Sequence, residues 1–182
     1  MNAEWIIDDP SIPDDAFAYR RIKIDSDILL DSATGEPTLN ITAYRYRDDG
    51  MSVYVSSAMS EFGVTDTDLI DWNIGLGLAR FSAWTVRKQE RGEQFTSTQV
   101  TTGTVPPGED VEIRGGIILS EATDSITSEE VRKSHGLIRV SETPPARAVW
   151  NVFRNKLIQG SAAKVAFFGP WRDASGVNSD SE

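Results

Sequence analysis

The 182-residue chain contains no cysteine and a single histidine, His135. The first absence removes disulfides, thiolate nucleophiles, iron–sulfur ligation and zinc sites built on thiolates. The second leaves any active site to carboxylates, Arg, Lys, Tyr and Ser with one imidazole at most. Long apolar runs are missing too, since no window approaches the roughly 18 apolar residues of a membrane-spanning helix. The opening "MNAEWIIDDPSIPDD" is acidic and has neither the basic nor the apolar region of a secretory signal. The expectation is a cytoplasmic, bacterial protein. Positive charge is scarce: 18 Lys and Arg face 28 Asp and Glu, giving a net charge of −10 and a pI near 4.6. Such a mean field repels phosphate backbones and anionic lipid, which disfavours nucleic-acid and membrane partners. The acids never run beyond pairs and read as solvated surface.

What is present is an ordinary folding composition, 39% hydrophobic and 25% charged, at a length suited to one domain. Residues 1–16 read as an extended acidic segment around Pro10 and Pro13. Residues 17–171 read as a single α+β domain, a mostly antiparallel sheet of about five to seven strands with two or three helices packed on one face. Residues 172–182 read as a disordered polar tail.

Within the domain, "FAYRRIKI" alternates as a strand, with Tyr19, Arg21 and Lys23 on one side and Arg20, Ile22 and Ile24 on the other. "TLNITAYRYR" and "MSVYVSS", joined at "DDG", read as a β-hairpin. "TDTDLIDW" carries helix-start chemistry near Thr67, and Gly75 and Gly77 limit that helix. "ARFSAWTVRKQERG" alternates as a strand, with continued helix as the alternative. The stretch from Phe95 to Asp110 reads as a loop with an edge strand. "VEIRGGIIL" reads as a buried strand with a bulge before Ile117. In "TSEEVRKSHG", Thr127 and Glu130 suit a capping box, and His135 sits at the C-terminal end of the helix, capping a carbonyl and raised in pKa. "GLIRV" continues as a strand. "PPARAVWNVFRNKLIQG" is the clearest helix, with Pro145 in its first turn, Trp150, Phe153 and Leu157 at helical spacing, Arg147, Asn151 and Arg154 on a solvated stripe, and Gly160 at its close. "AKVAFFGPW" reads as a last apolar strand or helix end. The expected core comprises Trp84, Trp150, Phe153, Leu157, Ile117 and Leu137.

Chemistry-bearing motifs are few. A serine triad can form only around His135, and no Gly-x-Ser-x-Gly elbow exists, Ser161 in "QGSAA" being the nearest approach. "GLGLAR" puts Arg80 where a dinucleotide fingerprint needs its third glycine. Asp66, Asp68 and Asp71 have a structural role as first-turn acids, and Asp48 and Asp49 belong to a turn, so no metal is expected. "AYRRIKI" with "AYRYR" can bring Arg20, Arg45 and Arg47 together with Tyr19, Tyr44 and Tyr46 on one sheet surface. Of these, Tyr44, Arg45, Tyr46 and Arg47 are the candidate ligand-binding set, able to stack on and pair with a phosphate or nucleotide.

The order "YRRI", "MSVYVSS", then "SHGLIRV" before a Trp-bearing helix resembles small bacterial reading frames of unassigned function, which implies no activity. An early Tyr-Arg, a later strand with Tyr-x-Ser and a nearby Glu also resemble RES and ADP-ribosyltransferase-like domains. That resemblance implies NAD as cofactor and Arg20, Tyr54 and Glu61 as catalytic residues. From the residues themselves, the expected function is that of a non-enzymatic accessory or interaction protein with a protein partner. An NAD-consuming or nucleotide-handling enzyme is the alternative, and convergence of Arg20, Tyr54 and Glu61 in one pocket is the geometry it requires.

Overall fold

The structure, a computed structural model, describes residues 5–87, 94–95, 111–112, 114–124, 127–141, 147–165 and 169–176. In chain order its elements are β1 (Phe17–Lys23), β2 (Ile28–Leu30), β3 (Pro37–Leu39), β4 (Met51–Val55), α1 (Ser56–Phe62), α2 (Asp66–Leu69), β5 (Leu76–Ser82) and α3 (Ala83–Arg87). There follow β6 (Gln94–Phe95), β7 (Val111–Glu112), β8 (Gly115–Leu119), α4 (Glu129–Lys133), β9 (His135–Val140), α5 (Arg147–Gln159), β10 (Ala162–Lys164) and β11 (Arg172–Asp173). Seven strands form one antiparallel sheet in the order β11-β10-β5-β1-β4-β9-β8, and β2–β3 and β6–β7 are two-stranded ribbons. The class is α+β, as the alternation of strand and helix signals implies.

β1 sits in the middle of the sheet, and its alternation sets two faces. Ala18 and Ile22 face the main core with Val53 and Val55 of β4, Ala79 and Phe81 of β5 and Ile138 of β9. Over that inner face lie α3, through Ala83 and Val86, and α5, through Trp150, Phe153 and Leu157. The opposite, outer face carries a smaller apolar cluster in which Tyr54 and Leu78 meet Met59 of α1, Val131 of α4, and Val64, Leu69 and Ile70 around α2. Glycine permits the closest approaches: a Cβ on Gly115 would enter the Phe153 ring, and one on Gly136 would lie 2.5 Å from the Ile118 carbonyl.

The ladder between β1 and β5 runs from Phe17↔Ser82 to Lys23↔Leu76, whereas β1 and β4 pair only at Ala18↔Val55 and Tyr19↔Tyr54. Past that point Arg20 takes the place of ladder bonds, its Nη1 donating to the Ser52 carbonyl at 2.7 Å and its Nε to the Ala43 carbonyl at 3.3 Å. At the sheet edge, β8 is covered by the acidic head. Asp9 N–H donates to the Ile117 carbonyl at 2.8 Å, and the Asp8 carboxylate accepts from Ile117 N–H at 3.0 Å. The same carboxylate accepts from Arg87, a 7% exposed residue of α3 that also pairs with Asp14 and donates to the carbonyls of Ile12 and Asp9. A sheet edge is thereby closed by side chains and irregular backbone rather than by another strand.

Several local expectations are corrected. The "DDG" turn exists, with Arg47 and Gly50 bridged, but the segment before it is the ribbon strand β3 and a 3-10 turn at Ile41–Ala43, while β4 pairs with β1 and β9. No hairpin forms because Ala43 and Tyr44 turn into the core instead of continuing a strand. The strand read through "ARFSAWTV" stops at Ser82, whose Oγ accepts from Thr85 N–H at 3.2 Å and starts α3; Trp84 is 40% exposed rather than core. Ser128, not Thr127, caps α4, because Thr127 N–H and hydroxyl are held by the Asp124 carboxylate. The reciprocal capping box forms at α2 instead, between Thr65 and Asp68. There is no bulge before Ile117: β8 pairs with β9 without a break from Gly115↔Val140 to Leu119↔Gly136. Arg172–Asp173 pairs with β10, and Ala174 is buried, its N–H donating to the Ser161 carbonyl, so the polar tail is anchored there. Arg154, expected on a solvated stripe, has its Nε buried. Pro145, most of the stretch from Phe95 to Asp110, and residues 177–182 lie outside the described residues.

Candidate functional site

The outer face of the sheet collects the groups with chemistry. β1 contributes Tyr19 and Arg21, β4 contributes Ser52 and Tyr54, and β9 contributes His135, each pair two apart as strand periodicity requires. Beside this face lies a cleft of about 750 Å³ between the α2 region and α4. Its buried lining is apolar, from Val64, Leu69, Ile70 and Val131, and its exposed lining carries the carboxylates of Asp68, Asp71, Asp124 and Glu130. α2 can present that lining because Asp68 accepts from Thr65 N–H at 2.7 Å and fixes the short helix at its start. Among the described residues the one basic side chain lining the cleft, Arg21, donates from Nε to the Leu69 carbonyl at 2.9 Å, and its guanidinium stands 5.0 Å from the centre of the Tyr54 ring.

Tyr54 in turn meets His135 edge-on, with ring centres 5.6 Å apart. His135 opens β9 and does not cap α4, whose C-cap is Ser134. Its Nδ1 lies 2.5 Å from the Ser120 carbonyl oxygen and its Nε2 lies 2.6 Å from Ser52 Oγ. A carbonyl oxygen only accepts, so Nδ1 carries the proton and Nε2 of the neutral ring accepts from the Ser52 hydroxyl. Burial disfavours the imidazolium and lowers the His135 pKa, and Arg20 acts in the same direction; the Ser120 carbonyl, Asp49 and Asp124 oppose them. The expected upward shift is therefore reversed, because the ring is desolvated between strands instead of exposed at a helix end. Burial likewise raises the Tyr54 hydroxyl above the ordinary phenol value.

Further along the same face, the Arg80 guanidinium is held between Phe17 and Trp171, 4.5 and 4.2 Å from their ring centres, and Tyr19 packs on Trp171 at 5.6 Å. These are the stacked cation and ring pairs that the sequence placed elsewhere.

The residues singled out by sequence divide between the two faces. Arg20 points to the inner side, among main-core residues, where burial lowers its pKa. Tyr54 is on the outer side, as its pairing with Tyr19 requires. Glu61 is exposed on α1. Arg20 and Tyr54 therefore do not converge, and the geometry required by the NAD-consuming alternative is missing. Tyr44 is fully buried; its hydroxyl lies 2.6 Å from Ser161 Oγ, which itself donates to the Leu157 carbonyl, and burial raises its pKa strongly. Tyr46 packs on Trp150 at 4.9 Å, with its hydroxyl buried. Arg45 is 63% exposed and 4.0 Å from Asp27, and Arg47 is exposed at the turn. Tyr44, Arg45, Tyr46 and Arg47 thus form no common exposed surface. Ser161, the serine nearest to an elbow motif, is a core strut.

Sequence reasoning missed Ser52, Arg21 and Arg80. The signal for the first two was present: in "YRRIK" the residue sharing a face with Tyr19 is Arg21, and in "MSVYV" the residue sharing a face with Tyr54 is Ser52. Among the described residues no group of three His, Cys, Asp or Glu could hold a metal ion, and no helix is long and apolar enough to cross a membrane. Compared with protein-family models, with curated proteins and with solved structures, the chain shows no significant match in any of the three.

Proposed function

We propose that the protein is a cytoplasmic interaction protein whose outer-face cleft receives a basic, partly apolar segment of a protein partner. The observation that carries this reading is the combination in one cleft, among the described residues, of an apolar floor with four carboxylates, against one guanidinium already bonded to the Leu69 carbonyl. An extended peptide with alternating lysine and leucine meets both requirements: the leucines displace water from Val64, Leu69 and Val131, and the ammonium groups stay at the exposed carboxylates. The net charge of −10 acts in the same sense over longer range, favouring encounter with cations.

The test is calorimetric titration with an alternating Lys-Leu peptide and with its Glu-Leu counterpart. Binding of the basic peptide alone supports the reading. The double variant Asp71→Asn with Glu130→Gln keeps the Asp71 acceptor used by Asn73 N–H, so the fold is preserved, and weakens binding about tenfold, the equivalent of about 1.4 kcal/mol. Equal binding of both peptides, or of neither, would refute the proposal.

A further inference from the structure

Beyond that reading, we propose that Ser52 and His135 form a nucleophile and general base for acyl transfer, hydrolysing a small carboxylic ester at the cleft side of the sheet. The hydrogen bonds decide the polarity of the pair. Because Nδ1 must donate to the Ser120 carbonyl, the Nε2 lone pair faces Ser52 Oγ at 2.6 Å, the arrangement in which an imidazole takes a hydroxyl proton. The Ser120 carbonyl does what the acid of a triad does for orientation: it fixes the tautomer and the ring plane. Both side chains remain partly exposed. Burial also keeps the ring neutral at physiological pH, the state a base requires.

An electrophilic partner is supplied by the neighbouring strand. Arg21 shares the outer face with Tyr54, its guanidinium 5.0 Å from the centre of the ring that meets His135 edge-on. Arg21 lines the cleft, and its only hydrogen bond among the described residues is from Nε to the Leu69 carbonyl. Its guanidinium is thus available to the negative charge that develops on an acyl oxygen. This assignment does not depend on what else the cleft binds.

The chemistry balances without a redox partner. Ser52 Oγ forms a bond to the acyl carbon, its proton passes to His135 Nε2, and the carbonyl electron pair moves to the oxygen facing Arg21. Collapse of the intermediate breaks the bond to the leaving alkoxide, which takes the proton from Nε2. Water then attacks the acyl-serine, gives its proton to His135, and the carboxylic acid leaves as Ser52 recovers its hydrogen.

The experiment is labelling of the full chain with an alkyl fluorophosphonate, read by intact mass and by mapping the modified peptide. One adduct on Ser52 is expected, absent from Ser52→Ala and formed at least about a hundredfold more slowly in His135→Gln, within the range general-base removal usually costs. Should His135→Gln fail to fold, the wild-type rate against pH provides the second reading: it falls as the imidazole protonates. No adduct, an adduct on another residue, or a Ser52 adduct whose rate ignores both pH and folded His135→Gln would overturn the assignment.

Discussion

His135 shows how much depends on one residue's surroundings. As a helix cap it would be stabilised as a cation. Half-buried at the start of β9 it is held as a neutral ring by desolvation, against the opposing pull of the Ser120 carbonyl. A folded pKa held below the unfolded value of about 6.5 contributes stability that is present above that value and lost as pH falls through the folded pKa. Replacing His135 by Gln is therefore expected to lower Tm more at pH 8 than at pH 5, because the wild-type protein has already lost the contribution in acid. Thermal melts at the two pH values check this, and the reverse order would restore the cap. Gly115 gives a second residue-level outcome. Alanine there places a methyl group against the Phe153 ring, and a loss of about 1–3 kcal/mol is expected from overpacking, read as a lower urea midpoint. Neither His135's partners nor the approach of Phe153 was legible in sequence, since Ser52, Ser120 and Phe153 come from other parts of the chain.

At the level of elements, periodicity was informative where one face is buried, and failed where a side chain captured the backbone. The alternation of β1 was legible, including the opposition of Arg20 to Tyr19 and Arg21. So were α5 with its buried Trp150, Phe153 and Leu157, and the strand at "GLIRV". The region after Ser82 was not, because "FSAWTV" alternates as well as any strand, and the turn into α3 is set by the Ser82 hydroxyl accepting from Thr85 N–H and by Ala83 and Trp84 N–H donating to the carbonyls of Ala16 and Asp14. The same kind of control holds the acidic head, where the aspartates that read as solvated charge are the acceptors that anchor the chain. Arg87 gathers Asp8, Asp14 and the carbonyls of Asp9 and Ile12, and Asp8 also receives Ile117 N–H. Arg87→Met strips this buried cation from its carboxylates, and a loss of about 3 kcal/mol is expected. Hydrogen exchange at Ile117 should accelerate together with it; a stability loss with unchanged exchange at that amide would separate Arg87 from the head.

For the whole molecule, the acidic composition and the outer-face cleft are what the proposed basic partner rests on. A chain with ten more acids than bases disfavours polyanions, and the outer-face cleft concentrates four of those acids beside an apolar floor. The candidate surface chosen from sequence failed because Tyr44 lies in the core, whereas the cleft joins residues of the 62–76 stretch to Asp124 and residues 127–131, and no local pattern announces such a meeting. The affinity for the alternating Lys-Leu peptide should fall as salt rises from 50 to 500 mM, probe conditions that take the screening length from about 14 to about 4 Å.

The measurement that tests this most directly is an amide NMR titration of the labelled full chain with the Lys-Leu peptide. Shift changes confined to residues 62–76 and 124–131, and lost in Asp71→Asn with Glu130→Gln, are the predicted result. Changes centred instead on the exposed Leu29, Leu30 and Ile41 of the β2–β3 ribbon region, or no change at all, would contradict the cleft as the site where this protein meets its partner.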